Sequence, residues 1–376
     1  MNVRLFRRDL LAWYDANRRE MPWRGSSDPY AILVSEVMLQ QTQVSRVEEY
    51  WKRFLERFPT AEALAAATED DVCAVWSGLG YYRRARNLRK AAIAIVDSGG
   101  AVPATADALR ELPGIGAYTA AAVASIAFGE AVAVLDANVV RVLARLTVEE
   151  DEVTRAPVRR RMESLAAELL DPARAGDFNQ AMMELGALVC SPASPSCLLC
   201  AVRSHCAAHL SDDPERFPVK RAPGRTNELK ETAALIVRRG RILLTRESDE
   251  REWWPGLWRL PRVLAPAPDR SVEGAASASG IAPGVERLRA LLLDRHGLTC
   301  GSLAPLAATT YGVTTNRVTL TVVCCDAPSG RLRRSADTRW FAPDTALELG
   351  LPAADRRVLE EHVPTLSSPG TDQGIS

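Results

Sequence analysis

The sequence predicts a two-part protein: an all-α first region over residues 1–211, a linker over 212–230, and an α+β domain over 231–363. Three observations predict it. Up to about residue 210, apolar residues recur at helical spacing between turn residues, with no convincing β-hairpin. The stretch DDPERFPVKRAPGRTNELK is polar, proline-containing and basic at its end, as linkers are. Beyond it, ETAALIVRRGRILLTRE sets two β-rich runs about Arg239-Gly240, a hairpin signal.

In chain order, helices are expected over Phe6–Asn17, Pro29–Gln41, Gln43–Phe58, Ala61–Ala67, Asp70–Ser77, Ala85–Ser98, Ala106–Leu112 and Tyr118–Phe128. The second of these starts at Asp28-Pro29, a capping Asp followed by Pro in the first turn. It is apolar on almost every face, which predicts burial, yet it carries Glu36 among Ile32, Leu33, Val37, Leu39 and Gln40. In the second domain Leu306–Thr310 and Arg317–Cys325 read as strands and Val285–His296 as a helix. Residues 364–376 read as a disordered tail.

The 376 residues suffice for two domains, each with its own core. Apolar content of 47% and charged content of 25% are those of an ordinary globular protein. Lys+Arg and Asp+Glu number 47 each, so any surface for a polyanion has to be local. The N-terminus lacks the apolar core and small-residue cleavage site of a signal peptide. No apolar run reaches eighteen residues, so no membrane span is expected, and the expected compartment is the cytoplasm, or the nucleus of a nucleated source. Four of the eight cysteines crowd into positions 190–206, which favours a metal site over a disulfide framework. Cys73, Cys300, Cys324 and Cys325 read as buried or strand-borne thiols without a role.

Four stretches carry chemistry. In LPGIGAYTAAAV, a short helix over 106–112 meets a second helix through Gly114 and Gly116. Such a hairpin points backbone N–H groups outward, either as a plain turn or as an anion site fit for a DNA phosphate. GLGYYRRARNLRK holds five basic residues, no acid and two tyrosines. It is either a solvated helix face or a stacking and phosphate surface. In AVAVLDANVVRVLARL, Asp136 or Asn138 caps a helix, or Asp136 supplies a carboxylate to a reacting sugar. Finally, Cys190-x6-Cys197-x2-Cys200-x5-Cys206 is a compact thiolate set that ligand chemistry would allow for zinc or for a four-iron cluster.

From Trp13 to about Cys206 the chain resembles the adenine DNA glycosylase family of base-excision repair enzymes. MPWR, SEVMLQQTQV, GLGYYRRARNL, LPGIGAYTA, LDANVVRVLARL, FNQAMMELGA and the four cysteines occur in family order. The resemblance implies a helix-hairpin-helix glycosylase fold, with the hairpin at about 106–128 and a cluster loop at 190–206. Cys190, Cys197, Cys200 and Cys206 would hold a [4Fe-4S] cluster with a structural, DNA-facing role. It implies Glu36 as the general acid for adenine and Asp136 as the carboxylate beneath an oxocarbenium-like sugar, with Tyr118 and Asn138 in support. Trp23, Arg24, Leu39 and Gln180 match residues that hold a flipped adenine, and Gln41 and Tyr81 match residues that wedge into the duplex. The implied partner of this monomeric enzyme is double-stranded DNA with A:8-oxoguanine or A:G mispairs, which would place it on the nucleoid.

Endonuclease III-like relatives carry a Schiff-base Lys where this chain has Tyr118, so a monofunctional glycosylase is expected. The second domain resembles the family's Nudix-like domain, best in EWWPGLWRLPRV. A Nudix hydrolase needs a glutamate-rich RExxEExG helix, whereas VERLRALLLDRHGL has one Glu and one Asp, so a DNA-reading domain is expected. Where the family has a Phe-Ser-His turn for 8-oxoguanine, this chain has Val313-Thr314-Thr315, which retains a hydroxyl at Thr314 and lacks the His.

Overall fold

The computed structural model describes residues 1–219, 226–247, 253–264, 283–333 and 335–366, and forms two compact units. The first comprises Met1–Ala67 and Arg83–Pro223; the second comprises Thr68–Tyr82 and Gly224–Ser376. Among the described residues no helix is long and apolar enough to cross a membrane.

The first unit is helical: α1 (Val3–Asn17), α2 (Pro29–Leu39), α3 (Val44–Arg57) and α4 (Ala61–Ala66). After α5 (Glu69–Val75), which groups with the second unit, come α6 (Arg83–Asp97), α7 (Ala106–Arg110), α8 (Ala117–Phe128), α9 (Ala137–Thr147), α10 (Ala156–Leu169), α11 (Ala175–Leu188) and the single turn α12 (Ala207–Leu210). Asp28 caps α2 by accepting from the Tyr30 N–H at 2.9 Å, with Pro29 in the first turn as expected. Every residue from Tyr30 to Met38 is buried, so α2 runs through the core and packs on α8, itself buried from Thr119 to Ser125. A second core joins α1, α9, α10 and α11 through Phe6, Leu10, Leu143, Met162, Phe178 and Leu185.

The turn between α7 and α8 needs its glycine. Gly114 sits at φ +78°, and a Cβ there would lie 2.4 Å from the Cβ of Asn87. On α11, a Cβ at Gly186 would lie 2.6 Å from the Cβ of Asn138, so this glycine sets how closely α11 approaches α9.

The second unit is built on a sheet ordered β3-β2-β1-β7-β6, with β4 beside β1 and β9 beside β2. Its strands are β1 (Asn227–Arg238), β2 (Arg241–Arg246), β3 (Trp258–Arg259), β4 (Arg262–Leu264), β5 (Leu298–Thr299), β6 (Leu303–Val313), β7 (Asn316–Cys325), β8 (Ser329–Gly330) and β9 (Thr338–Phe341). β5 and β8 pair separately. The expected hairpin forms at Arg239-Gly240, both at positive φ, as a two-residue turn requires. β1 and β7 pair in parallel from Asn227↔Asn316 to Ile236↔Cys325. Helices α13 (Pro283–Leu291), α14 (Pro343–Glu348) and α15 (Ala353–Leu366) complete the unit.

The structure corrects the expected boundaries at three places. Thr68–Tyr82 leaves the helical region for the second unit. There the Tyr82 hydroxyl donates to the Leu351 carbonyl at 2.8 Å, Arg246 pairs with Asp70 at 3.2 Å, and Arg356 donates to the Ser77 hydroxyl at 2.7 Å. β1 starts at Asn227, inside the expected linker, because β7 offers it a parallel partner; 220–225 of that linker lie outside the described residues. α15 runs to Leu366, into the expected tail, whose residues 367–376 are also outside the described ones, as is Glu252 of EWWPGLWRLPRV. Helix Val285–His296 is α13 followed by a π-helical turn, Leu292–His296, closed by Gly297 at φ +70°.

Cys300 and Cys325 are not free thiols but a disulfide. Pairing of β6 with β7 sets Leu303 opposite Cys325, which brings Cys300 to 5.6 Å between Cα atoms, within reach of a bridge. Cys73 is buried and Cys324 half-buried, and neither is in a disulfide.

Replacing Gly186 by Ala has to part α9 from α11 or displace Asn138, and overpacking of this kind costs about 1–3 kcal/mol. Urea unfolding of Gly186→Ala is expected to show that loss; an unchanged midpoint would mean that the two helices part freely.

Candidate active site

The first unit brings Glu36, Tyr118, Asp136 and Asn138 together. Glu36 leaves the buried helix α2 on the side facing α8, where Tyr118, the second residue of that helix, donates its hydroxyl to Oε2 at 2.8 Å. The same hydroxyl lies 3.6 Å from the Met183 sulfur on α11. Burial pushes the Glu36 carboxyl up to about 7; the Tyr118 hydrogen bond opposes this, and the charge of Asp136 adds to it. Burial beside Glu36 also raises the Tyr118 phenol well above its ordinary value, so it stays protonated.

Asp136 caps α9: Oδ1 accepts from the Val139 N–H at 2.7 Å and Oδ2 from the Asn138 amide at 2.9 Å. The capping reading thus holds for Asp136, and the cap leaves its carboxylate in the neighbourhood of Glu36, whose charge it affects. Burial raises its pKa, against those two hydrogen bonds. Behind it the network continues along α9. The Asn138 Oδ1 accepts from Arg141 at 2.8 Å, and Arg141 donates onward to the carbonyls of Gly186 and Cys190, both at 2.8 Å. One turn further, Arg145 donates to the Cys190 sulfur at 3.3 Å and to the carbonyls of Ser191, Pro192 and Phe217.

Arg24 and Arg19 both pair with Glu184 of α11, each at 2.8 Å. Burial alone would raise Glu184, but the two guanidinium groups pull it down to about 2. Two buried carboxyls in one helical unit are thus driven apart, Glu36 toward the neutral acid and Glu184 toward the fixed anion. Trp23 is buried edge-on against Trp51, their centroids 6.0 Å apart. Leu39 ends α2, half-buried. Gln40 reaches across to the Thr119 hydroxyl at 2.9 Å, and Gln41 stands exposed at φ +57°. Gln180 on α11 turns its amide back to the Gly176 carbonyl at 3.2 Å. Gly116 is the N-terminal cap of α8, with Gly114 two residues ahead in the turn.

Tyr81 and Thr314 belong to the second unit. Tyr81 is 61% exposed at φ +50°. Thr314 is the first of two residues in the β6–β7 turn, exposed at φ +53°, with its hydroxyl on the Val313 carbonyl and accepting from Asn316. The helix α13 with its π turn carries Glu286 and Asp294 as its acids.

Cys190 follows the end of α11, and Cys197, Cys200 and Cys206 follow in two 3₁₀ turns and the start of α12. Burial raises Cys200 up to about 11, and the charges of the other three sulfurs add to it, so the four thiols share one electrostatic neighbourhood. Among the described residues no three His, Cys, Asp or Glu side chains are grouped so as to hold a metal ion.

Reading the sequence missed Glu184, Arg141 and Arg84. Glu184 carried the same signal as Glu36, an acid in an apolar helix. Arg84 was hidden in the basic run; it is buried, donating to carbonyls at the end of α2.

A carboxyl that keeps its proton up to about pH 7, a phenol on it and a second carboxylate near enough to affect its charge are the groups that proton donation and electrostatic support of a developing cation require. A family model for HhH-GPD superfamily base excision DNA repair proteins matches residues 34–168, and one for the NUDIX domain matches 232–361. The fold of the first unit is thus of the helix-hairpin-helix base-excision class. Within it, an adenine DNA glycosylase of Mus musculus is 43% identical over 281 residues, covering 72% of this chain and 53% of its own. One of Mycolicibacterium smegmatis is 47% identical over 201 residues, covering 53% of this chain and 67% of its own. A solved thermostable thymine-DNA glycosylase superposes with a TM-score of 0.52 at 30% identity, over 56% of this chain and 97% of its own. The chain belongs to the adenine DNA glycosylase family. It spans about half the length of the rodent relatives it matches (53% and 42%).

The folded-state pKa of Glu36, about 7, lies above its ordinary 4.5. The stability of the neutral acid is therefore complete below about pH 4.5 and lost as pH rises through 7. Glu36→Gln cannot ionise, so its stability relative to the parent should rise by about 1.4 kcal/mol per pH unit over that window and level off near 3 kcal/mol. Paired urea titrations from pH 4.5 to 8.5 read this; a pH-independent difference would place an ordinary carboxyl at residue 36.

Proposed function

We propose that this chain is a monofunctional adenine DNA glycosylase, which extrudes adenine mispaired with 8-oxoguanine or guanine from double-stranded DNA and hydrolyses its N-glycosidic bond. The observation that carries the reading is the Glu36–Tyr118 hydrogen bond in an apolar setting, with Asp136 near enough to affect the Glu36 charge. Adenine is a poor leaving group as an anion. Glu36, neutral near pH 7, gives its proton to N7; the bond from the sugar to N9 then breaks, and the electron pair leaves with a neutral base. Asp136 steadies the oxocarbenium-like sugar until water adds to it. Tyr118 stands where a Schiff-base Lys would, and a protonated phenol forms no imine, which supports base removal without strand cleavage.

In this reading Trp23, Arg24, Leu39 and Gln180 line the adenine pocket, with Arg24 held by Glu184. Gln41 and Tyr81 enter the duplex, and the hairpin at Gly114 and Gly116 takes a phosphate. Residues 231–363 read DNA, with Thr314 offering a hydroxyl to the base opposite. Cys190, Cys197, Cys200 and Cys206 would hold a [4Fe-4S] cluster. Their mutual electrostatic influence supports this, since it places the four sulfurs in one neighbourhood. When bound, the cluster supplies structure and no bond-breaking step.

Single-turnover reactions on duplexes with A opposite 8-oxoguanine, G, C or T, with and without alkali, test the proposal. Adenine release is expected from the first two, with strand breaks after alkali alone. No release from either would end the reading, and breaks without alkali that borohydride traps would make the enzyme bifunctional. Glu36→Gln should lose about 10²–10⁴-fold in rate while still binding DNA. The parent rate should fall as pH rises through about 7, where Glu36 loses its proton. In Tyr118→Phe that fall should move to higher pH, because the lost hydrogen bond favours the ionised acid. The protein as purified should be brown and carry iron; a colourless zinc protein would overturn the cluster.

A further inference from the structure

Helix α2 ends without a basic residue in its last turn, and its terminal carbonyls lack helical partners. Arg84, the second residue of α6 and only 9% exposed, supplies the cation from another helix. Its Nη1 donates to the carbonyls of Val37 at 3.1 Å and Met38 at 2.8 Å, and also to that of Gln40. Its Nη2 donates to the Thr42 hydroxyl at 3.0 Å. A simple helix cap would stop at the carbonyls. Here the last bond passes beyond the helix to the far side of Gln41, the exposed residue at φ +57°. Left-handed backbone at a non-glycine residue persists only where its surroundings hold it. Arg84 holds residues on both flanks of Gln41, and the Gln40–Thr119 hydrogen bond ties the near flank to α8. A planar fork can meet this set of acceptors, whereas an ammonium cannot.

We propose that Arg84 is a positioning residue that fixes the loop Gln40–Thr42 so that Gln41 enters the duplex and the target base is extruded. The inference rests on the reading of this chain as a base-extruding glycosylase. It separates extrusion from chemistry, because the bonds that take Arg84 beyond a helix cap, to Gln40 and Thr42, lie past Leu39 on either side of Gln41, and its bonds nearer Glu36 go to backbone carbonyls only.

The test uses the full-length protein, Arg84→Met and Arg84→Lys, each first shown by thermal melting to be folded at the assay temperature. Duplexes carry 2-aminopurine in place of the target adenine, opposite 8-oxoguanine, and its fluorescence rises when the base leaves the stack. The parent should give the rise, Arg84→Met should lose it, and Arg84→Lys should keep part of it; if the Met variant does not fold, the Lys variant carries the comparison. In single-turnover release, the variants should lose about 10- to 100-fold on adenine paired with 8-oxoguanine. They should lose less than about threefold on adenine opposite an abasic site, where extrusion is already easy. A parental fluorescence rise in the variants, or equal losses on both substrates, would overturn the proposal and leave Arg84 a structural cap. Failure of the glycosylase reading shows separately, as no adenine release by the parent from any duplex, while the fluorescence comparison still judges Arg84.

Discussion

Burial of the Glu36 carboxyl in an apolar helix is the constraint around which the first unit is arranged. A carboxylate in that position would need a cation or several donors; it receives one phenolic hydrogen bond, so the proton stays on up to about pH 7. For this to work α2 must be enclosed on all sides, which explains a helix buried from Tyr30 to Met38 and a small-residue helix α8 beside it. Glu184 shows the alternative outcome in the same unit: equally buried, it meets two arginines and becomes a permanent anion. Environment, and not residue type, decides which carboxyl can give a proton.

The second carboxylate is positioned by a different device. Asp136 is fixed as the cap of α9, and the helix below it is a ladder of side chains, Asn138, Arg141 and Arg145, that ends on the cysteine loop. Gly186 lets α11 come close enough for its carbonyl to join the ladder. The cysteine loop and the capping carboxylate are therefore two ends of one hydrogen-bonded structure, although the cysteines contribute nothing to the acid itself.

Much of this was legible before any coordinates. Glu36 stood out because an acid in an apolar helix is costly, and the turn at Gly114 because two glycines between helices permit a tight hairpin; that Asn87 leaves no room for a Cβ there came only with the fold. Other features were hidden for physical reasons. Arg84 belongs to a basic run that reads as a solvated face, and its burial depends on where α2 ends, a tertiary fact. Asp136 is the cap of α9 as one of its readings had it, and a capping pattern in the sequence says nothing of how near Glu36 that carboxylate lies. The Cys300–Cys325 bridge required the strand register of β6 on β7, which no local pattern encodes. The assignment of Thr68–Tyr82 to the second unit likewise rests on partners more than 150 residues later, such as Arg246 and Leu351.

That last feature has a consequence for the order in which the molecule is made. Ribosomes deliver chains from the N-terminus, and domains usually fold as their residues emerge. Here Thr68–Tyr82 is synthesised early, while the residues it packs with arrive only with Arg246, Leu351 and Arg356. The parallel pairing of β1 with β7 imposes a similar delay, since the strand begun at Asn227 finds its partner from Asn316 onward. Cys73 of the early segment, buried in the finished protein against Gly350, must wait through most of translation for that cover. A nascent chain in that interval is the form of this protein most exposed to chaperones and to aggregation.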